Sequence, residues 1–133
     1  DFPTCRQSWL PEMHFNDAFH VFRELGMTAQ GTLLTQENLV AIHWMHRAGA
    51  VLVTLLVGSL ALVLLRDAVA RAYGVLLLGV LLLQLSLGIA NVLLQLPLPV
   101  AVGHNAGAAL LLLSLVLFNY RTWNKGDYQW QTA

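Results

Sequence analysis

Residues Ala48–Leu65 read AGAVLVTLLVGSLALVLL, and this run of 18 residues contains no charged side chain. A run of this length and composition indicates a transmembrane helix. Two more uncharged runs follow it, Ala72–Leu96 and Val100–Tyr120. Because backbone N–H and C=O groups in lipid must be satisfied inside the segment, helices are favoured. The sequence therefore predicts an all-α, polytopic membrane protein with three transmembrane helices.

The composition of the chain supports this prediction. Of its 133 residues, 57% are hydrophobic and 11% are charged, whereas soluble domains carry about 25% charged residues. Seven Lys and Arg balance seven Asp and Glu, so no basic excess favours nucleic acid. The chain opens at Asp1 with neither an initiating Met nor a signal peptide, and we expect a fragment of a longer polypeptide.

The charge pattern divides the chain into an outer polar loop, residues 1–38, a three-span bundle, residues 39–121, and a tail, residues 122–133. Arginines flank the first short connection at 66–71, and Arg121 and Lys125 follow the third run, whereas the connection at 95–99 has no Lys or Arg. By the positive-inside rule the 66–71 loop and the C-terminus are cytoplasmic. We expect a multi-pass protein of the bacterial inner membrane with residues 1–38 in the periplasm.

The outer loop has a pattern of its own. Aromatic and apolar residues recur at helical spacing, with charged residues on the other sides: Phe15, Phe19, Phe22 and Leu25 or Gly26. This spacing predicts a short amphipathic helix in the outer interface, or alternatively a loop that packs its aromatics on the span tops. Cys5 is the sole cysteine, and in an oxidising compartment it either forms a disulfide with an upstream cysteine or stays a free thiol.

Three of the five histidines lie inside or at the edge of spans, where ionisable groups are rare and usually functional. His14 and His20 lie in the polar loop and are expected to be exposed. His46 lies roughly 10 Å and His104 roughly 8 Å along their helices from the outer side. Because one span separates the first from the third, both cross in the same direction. Two imidazoles at one level would hold a haem iron from both faces.

Neighbouring residues support this hypothesis without settling it. Arg47 would pair with a haem propionate or snorkel to lipid head groups. His43 shares a helix face with His46 and is the alternative ligand, although we expect it nearer to water, bonding a propionate or a loop carbonyl. Small residues near both histidines would admit a flat macrocycle or let helices pack closely: Ala48, Gly49, Ala50, Gly103 and Gly107.

The second span contains polar amides on one face. Gln84 and Asn91 are two turns apart, and we expect them to bond across helices. Lining a cofactor cleft is the other role open to them.

Two motifs carry a resemblance to a known family. The first is AIHWMHR at Ala41–Arg47, and the second lies in Gln84–Leu110, with LGIANVL, then LPL, then His104. Together they resemble the C-terminal half of haem A synthase, and the opening DFPTC and WLP resemble the outer loop before that half. The resemblance covers nearly the whole chain except the tail.

The resemblance implies two similar four-helix halves, each with a pair of haem-facing histidines. His46 and His104 match the pair of the second half, which holds a b-type haem, and three of its four helices are present here. The absent N-terminal half would take the haem O substrate and carry a functional Glu near its own His-Arg pair. His43 stands where that half has the Glu, so the role of the Glu is not carried over.

The family reaction oxidises a methyl group of haem O to the formyl of haem A by successive hydroxylations. An iron with two histidine ligands is six-coordinate, which suits electron transfer better than oxygen activation. The resemblance thus implies an oxidoreductase in which this half carries electrons from an unidentified donor to the substrate haem. The alternatives are a b-type cytochrome membrane subunit with electron transfer only, and a non-catalytic bundle that assists oxidase assembly and binds no haem.

Overall fold

The structure, a computed structural model, describes residues 3–5, 7–22, 24 and 26–130, with side chains described as far as Trp123. It contains three helices in sequence, α1 (Gln36–Arg66), α2 (Arg71–Leu93) and α3 (Leu98–Trp130). All three are long and apolar enough to cross a membrane. The predicted all-α architecture with three spans is confirmed, and the chain is a multi-pass membrane protein.

The outward faces of the helices are apolar. Only 17% of the most apolar window of each helix is buried inside the structure. Leu55 on α1, Leu76 on α2 and Leu112 on α3 are examples of leucines with exposed side chains. Continuous apolar surface of this kind marks a membrane-facing region, because lipid tails solvate it and water does not.

The ends of α2 and α3 differ from the predicted boundaries. α2 ends at Leu93 because Gln95 and Leu96 adopt positive φ angles of 59° and 56°. The N–H of Leu96 donates to the carbonyl of Asn91 at 2.8 Å, the long bond of a Schellman C-cap. Pro99 does not precede α3 but lies in its first turn, where no intrahelical N–H is needed. α3 continues to Trp130, into the predicted tail.

The chain divides into two compact units, residues 1–52 and 53–133, and α1 passes from the first into the second. In the first unit the segment before α1 consists of turns and two isolated β-bridges, between Cys5 and Ser8 and between Met27 and Leu33. Gly26 and Gly31 have φ angles near +80° and form the turns around the second bridge.

The predicted amphipathic helix in the outer loop is wrong for the part of that loop which the structure describes. Residues 16–19 form a turn, closed by a bond from the Ala18 N–H to the Phe15 carbonyl at 3.2 Å. Of the regularly spaced aromatic residues, Phe15 and Phe19 stack their rings, whose centroids are 6.3 Å apart. Asn and Asp at 16 and 17 favour turns, and so short a helix is marginal without tertiary packing. Arg23 and Leu25 lie outside the described residues.

The second unit has a small apolar core that joins parts of all three helices. Its buried members are Val57, Ala61, Leu64, Leu77, Val80, Leu81 and Leu111. The tightest contact in it is at Gly74, where an added Cβ would lie 2.9 Å from the Ala61 carbonyl oxygen and 2.9 Å from the Leu65 nitrogen. Both atoms belong to the α1 backbone, which cannot move aside as a side chain can. A glycine at 74 therefore sets how closely α1 and α2 approach in this unit.

We predict that Gly74→Ala destabilises the second unit by about 1–3 kcal/mol, because the new methyl overpacks against the backbone of α1. Gly79→Ala is the matched control on the same helix, since a Cβ there meets nothing within 4 Å. Thermal unfolding in detergent measures the difference. Equal melting temperatures for the two variants would contradict the assigned contact.

Candidate functional site

The first unit fixes the start of α1 with a reciprocal cap. The Asn38 N–H donates to Thr35 Oγ1 at 3.3 Å, and the Thr35 N–H donates back to Asn38 Oδ1 at 3.2 Å. This is a capping box with Asn in the place usually taken by Glu or Gln. The other end of the Asn38 amide donates to the His14 carbonyl at 2.9 Å, which ties the outer loop to the helix.

Further along α1, two side chains hold the segment 3–9. Arg47 Nη1 donates to the carbonyls of Pro3 and Thr4, at 3.0 and 2.9 Å. One turn earlier, Trp44 Nε1 donates to the Trp9 carbonyl at 3.0 Å. The acceptors are backbone oxygens more than 30 residues away in sequence. We call the described residues 3–5 and 7–9 the outer strap, and Arg47 and Trp44 are its anchors on α1.

His43 belongs to the same arrangement. Arg47 Nε donates to His43 Nε2 at 3.3 Å, so this ring nitrogen acts as an acceptor and His43 is neutral. The imidazole is half-buried. The structure therefore places His43 beside the guanidinium that anchors the outer strap.

His46 lies one turn after His43 on α1, and its side chain is exposed. Gly49, one turn further, is also exposed, and a Cβ built there meets nothing within 4 Å. The space next to Gly49 is therefore not filled by other described residues. This agrees with a role for the small residues after His46 other than packing within that unit.

In the second unit His104 lies on α3 with its imidazole against α2. A Cβ built at Gly88 would be 3.0 Å from His104 Cε1 and 3.5 Å from Nδ1. The side-chain nitrogen of Gln84, one turn before Gly88, is 3.4 Å from His104 Nε2. The missing side chain at Gly88 thus makes room for the ring, and Gln84 bonds to it.

A second glycine accommodates Gln84 itself. A Cβ at Gly107 on α3 would collide with Gln84 Oε1. Gly103, by contrast, faces only the Leu87 methyl groups at 3.8 Å, an ordinary contact. Close packing of α2 on α3 therefore accounts for the glycine at 107 in this structure but does not require one at 103.

The amides on α2 retain acceptor capacity. Among the described residues, Gln84 Oε1 and Asn91 Oδ1 are buried oxygens with no hydrogen-bond partner. The predicted bond across helices is therefore present for the nitrogen of Gln84, while both amide oxygens are unused. Gly88, on the same face as these two amides, was not identified from the sequence. The sequence signal that could have identified Gly88 is its position between the two amides Gln84 and Asn91 on one face of the helix.

The remaining predicted residues have other surroundings. His14 and His20 are exposed, as predicted, and His20 Nε2 lies 3.7 Å from an Asp17 carboxylate oxygen. Cys5 is buried with a free thiol. A disulfide to an upstream cysteine stays a prediction. In the described part of the chain no three or more His, Cys, Asp or Glu side chains cluster as a metal site.

Comparison with known proteins identifies the family. The model of the cytochrome oxidase assembly protein family (COX15-CtaA) matches residues 1–116. A heme A synthase from Shewanella oneidensis is 42% identical over 125 residues, which cover 94% of this chain and 38% of the length of that relative. No solved structure matches the chain. The resemblance inferred from the two motifs is confirmed, and the chain belongs to the cytochrome oxidase assembly protein family of the heme A synthases.

Proposed function

We propose that this chain is the haem-binding C-terminal part of a haem A synthase, an oxidoreductase that converts a methyl group of haem O to the formyl of haem A. The observation that supports this most is the 42% identity to a heme A synthase across nearly the whole chain. The chain spans 38% of the length of that relative. The N-terminal half would then supply the site for the haem O substrate.

We further propose that His46 and His104 are the axial ligands of a b-type haem. Each lies on its own membrane-spanning helix, at a similar distance from the outer end of the apolar stretch. The distance of His46 is counted from Leu39, because the first turn of α1, Gln36–Asn38, is polar.

The chemistry of His104 fits a metal ligand. The amide nitrogen of Gln84 can only donate, so the Nε2 atom that it approaches carries a lone pair. Neutral imidazole with an unprotonated nitrogen is the form that binds iron. His46 and His104 would hold the haem, and a haem held by two histidines would supply electron transfer.

The surroundings of Arg47 suggest a role beyond the predicted propionate pairing. Its guanidinium already holds the carbonyls of Pro3 and Thr4 and the His43 ring. We propose that Arg47, the residue that follows His46, keeps the outer strap against α1, and that a propionate would be a further partner of the same group. His43 then supports the guanidinium and is not an iron ligand.

We predict that His46→Ala and His104→Ala each abolish the low-spin b-type absorption spectrum of the complete protein, which includes the N-terminal half, because each removes a proposed ligand of the haem iron. His20→Ala is the matched control, since that imidazole is exposed and lies before the spans. Absorption spectra of the purified proteins and assay of haem A formed from haem O are the measurements. An unchanged spectrum in both ligand variants would contradict the assignment. If the low-spin b-type spectrum depends on His46 and His104 but the protein forms no haem A from haem O, a b-type cytochrome subunit would be favoured.

The space that Gly88 leaves for the His104 ring gives a second prediction for the absorption spectrum. Gly88→Ala places a methyl 3.0 Å from His104 Cε1 and must shift the ring by a few tenths of an ångström. We expect this variant to shift or broaden the low-spin absorption bands. Gly103→Ala meets only Leu87 methyls at 3.8 Å and should leave the bands as in wild type. The reverse order of effects would show that His104 does not lie against Gly88.

We propose that the protein resides in the bacterial inner membrane with residues 1–38 in the periplasm and the 66–71 connection in the cytoplasm. Both Gln30 and Ala68 are exposed and suit single-cysteine labelling after Cys5→Ser. An impermeant maleimide should label Gln30→Cys in intact spheroplasts and Ala68→Cys only after permeabilisation. The opposite pattern would invert the topology.

A further inference from the structure

The contact between Gln84 and His104 involves one particular ring nitrogen. Gln84 Nε2 lies 3.4 Å from His104 Nε2, and a side-chain amide nitrogen has no lone pair to offer a donor. His104 Nε2 is therefore the acceptor, and in neutral imidazole the proton resides on Nδ1. The lone pair of Nε2 is directed towards Gln84.

Two glycines make room for this contact. Gly88 on α2 leaves space for the imidazole, since a Cβ there would lie 3.0 Å from Cε1. Gly107 on α3 leaves space for the amide of Gln84, since a Cβ there would collide with Oε1. Each helix thus carries a glycine opposite the polar side chain of the other. The two side chains are held together by backbone positions, not by mobile neighbours.

The bond between Gln84 and His104 satisfies a polar ring nitrogen inside a membrane span. A polar atom without a partner in hydrocarbon is costly, because no water reaches it. Gln84 supplies a partner for Nε2 while no metal is present. Nε2 has only one lone pair, in the plane of the ring. It therefore cannot accept this hydrogen bond and coordinate iron at the same time.

We propose that Gln84 is a positioning residue that occupies the iron-binding nitrogen of His104 in the haem-free chain and is displaced when haem iron binds. This inference rests on the proposed role of His104 as an axial ligand. Gln84 holds the ring between α2 and α3 before the haem arrives. The displaced amide joins Asn91 as a polar group on the α2 face.

A bond that exists only in the haem-free state opposes binding by its own free energy. Removing its donor should therefore raise the haem affinity, by about fivefold for a hydrogen bond of ordinary net strength. The spectrum of the haem-bound protein should not change, because the bond is absent there. A residue that merely supported the fold would lower the affinity or alter the spectrum when replaced.

The test uses the full chain, prepared haem-free in detergent and titrated with haemin. Gln84→Met and Gln84→Leu remove the donor and keep an apolar side chain of similar volume. Ser86→Ala is the control on the same helix, because its exposed hydroxyl bonds only within α2, to the Leu82 carbonyl. The low-spin absorption that His104→Ala removes isolates this site from any other haem.

Tighter haemin binding in both Gln84 variants, with the wild-type spectrum and unchanged binding for Ser86→Ala, is the expected result. Unchanged or weaker binding in a Gln84 variant that folds overturns the inference, while loss of the signal in His104→Ala leaves the proposed function intact. If His104→Ala retains the signal, the proposed function itself fails.

A second measurement does not depend on the stability of any Gln84 variant. Nitrogen NMR of the haem-free wild type with ¹⁵N-labelled histidine, assigned with His104→Ala, reports which ring nitrogen carries the proton. We expect the proton of His104 on Nδ1 and an unprotonated Nε2. A protonated Nε2 overturns the inference.

Discussion

Hydrocarbon offers no hydrogen bonds, so every polar atom placed in a span needs a partner from the protein. This constraint selects helices for the three apolar runs, and serines that remain in them donate to carbonyls of their own helix. In the second unit, His104 and Gln84 lie together at the α2–α3 contact, with glycines opposite both. Where a polar oxygen in that contact has no partner, as in Gln84 and Asn91, the structure retains capacity for a ligand or a water molecule.

In the first unit the same requirement is met by the outer loop. Side chains of α1 hold the loop by reaching its backbone carbonyls: Asn38 to His14, Trp44 to Trp9, and Arg47 to Pro3 and Thr4. These donors lie in the N-terminal part of α1, which also carries the histidine that we propose as an iron ligand. The strap is therefore anchored on α1 by the residues two before and one after His46.

The three spans could be predicted because an uncharged run of 18 or more residues has few structural solutions. Helix ends were less predictable, since Gln95 and Leu96 adopt positive φ angles that glycine usually signals. The outer-loop helix was predicted from the spacing of phenylalanines, but Asn16 and Asp17 favoured a turn. His104 was identified from its place in a span. The contact of His104 with Gly88 and the carbonyl acceptors of Arg47 could not be predicted from the sequence. Which side chain lies against a glycine, and which backbone oxygen accepts a hydrogen bond, depends on how distant segments pack.

The central claim is that two histidines of this chain ligate one haem iron. Electron paramagnetic resonance of the oxidised full chain, prepared with ¹⁵N-labelled histidine, tests it most directly at the haem that His104→Ala abolishes. The account predicts a low-spin ferric centre whose hyperfine couplings come from two histidine nitrogens. A high-spin centre, or a low-spin centre coupled to a single histidine, would contradict it.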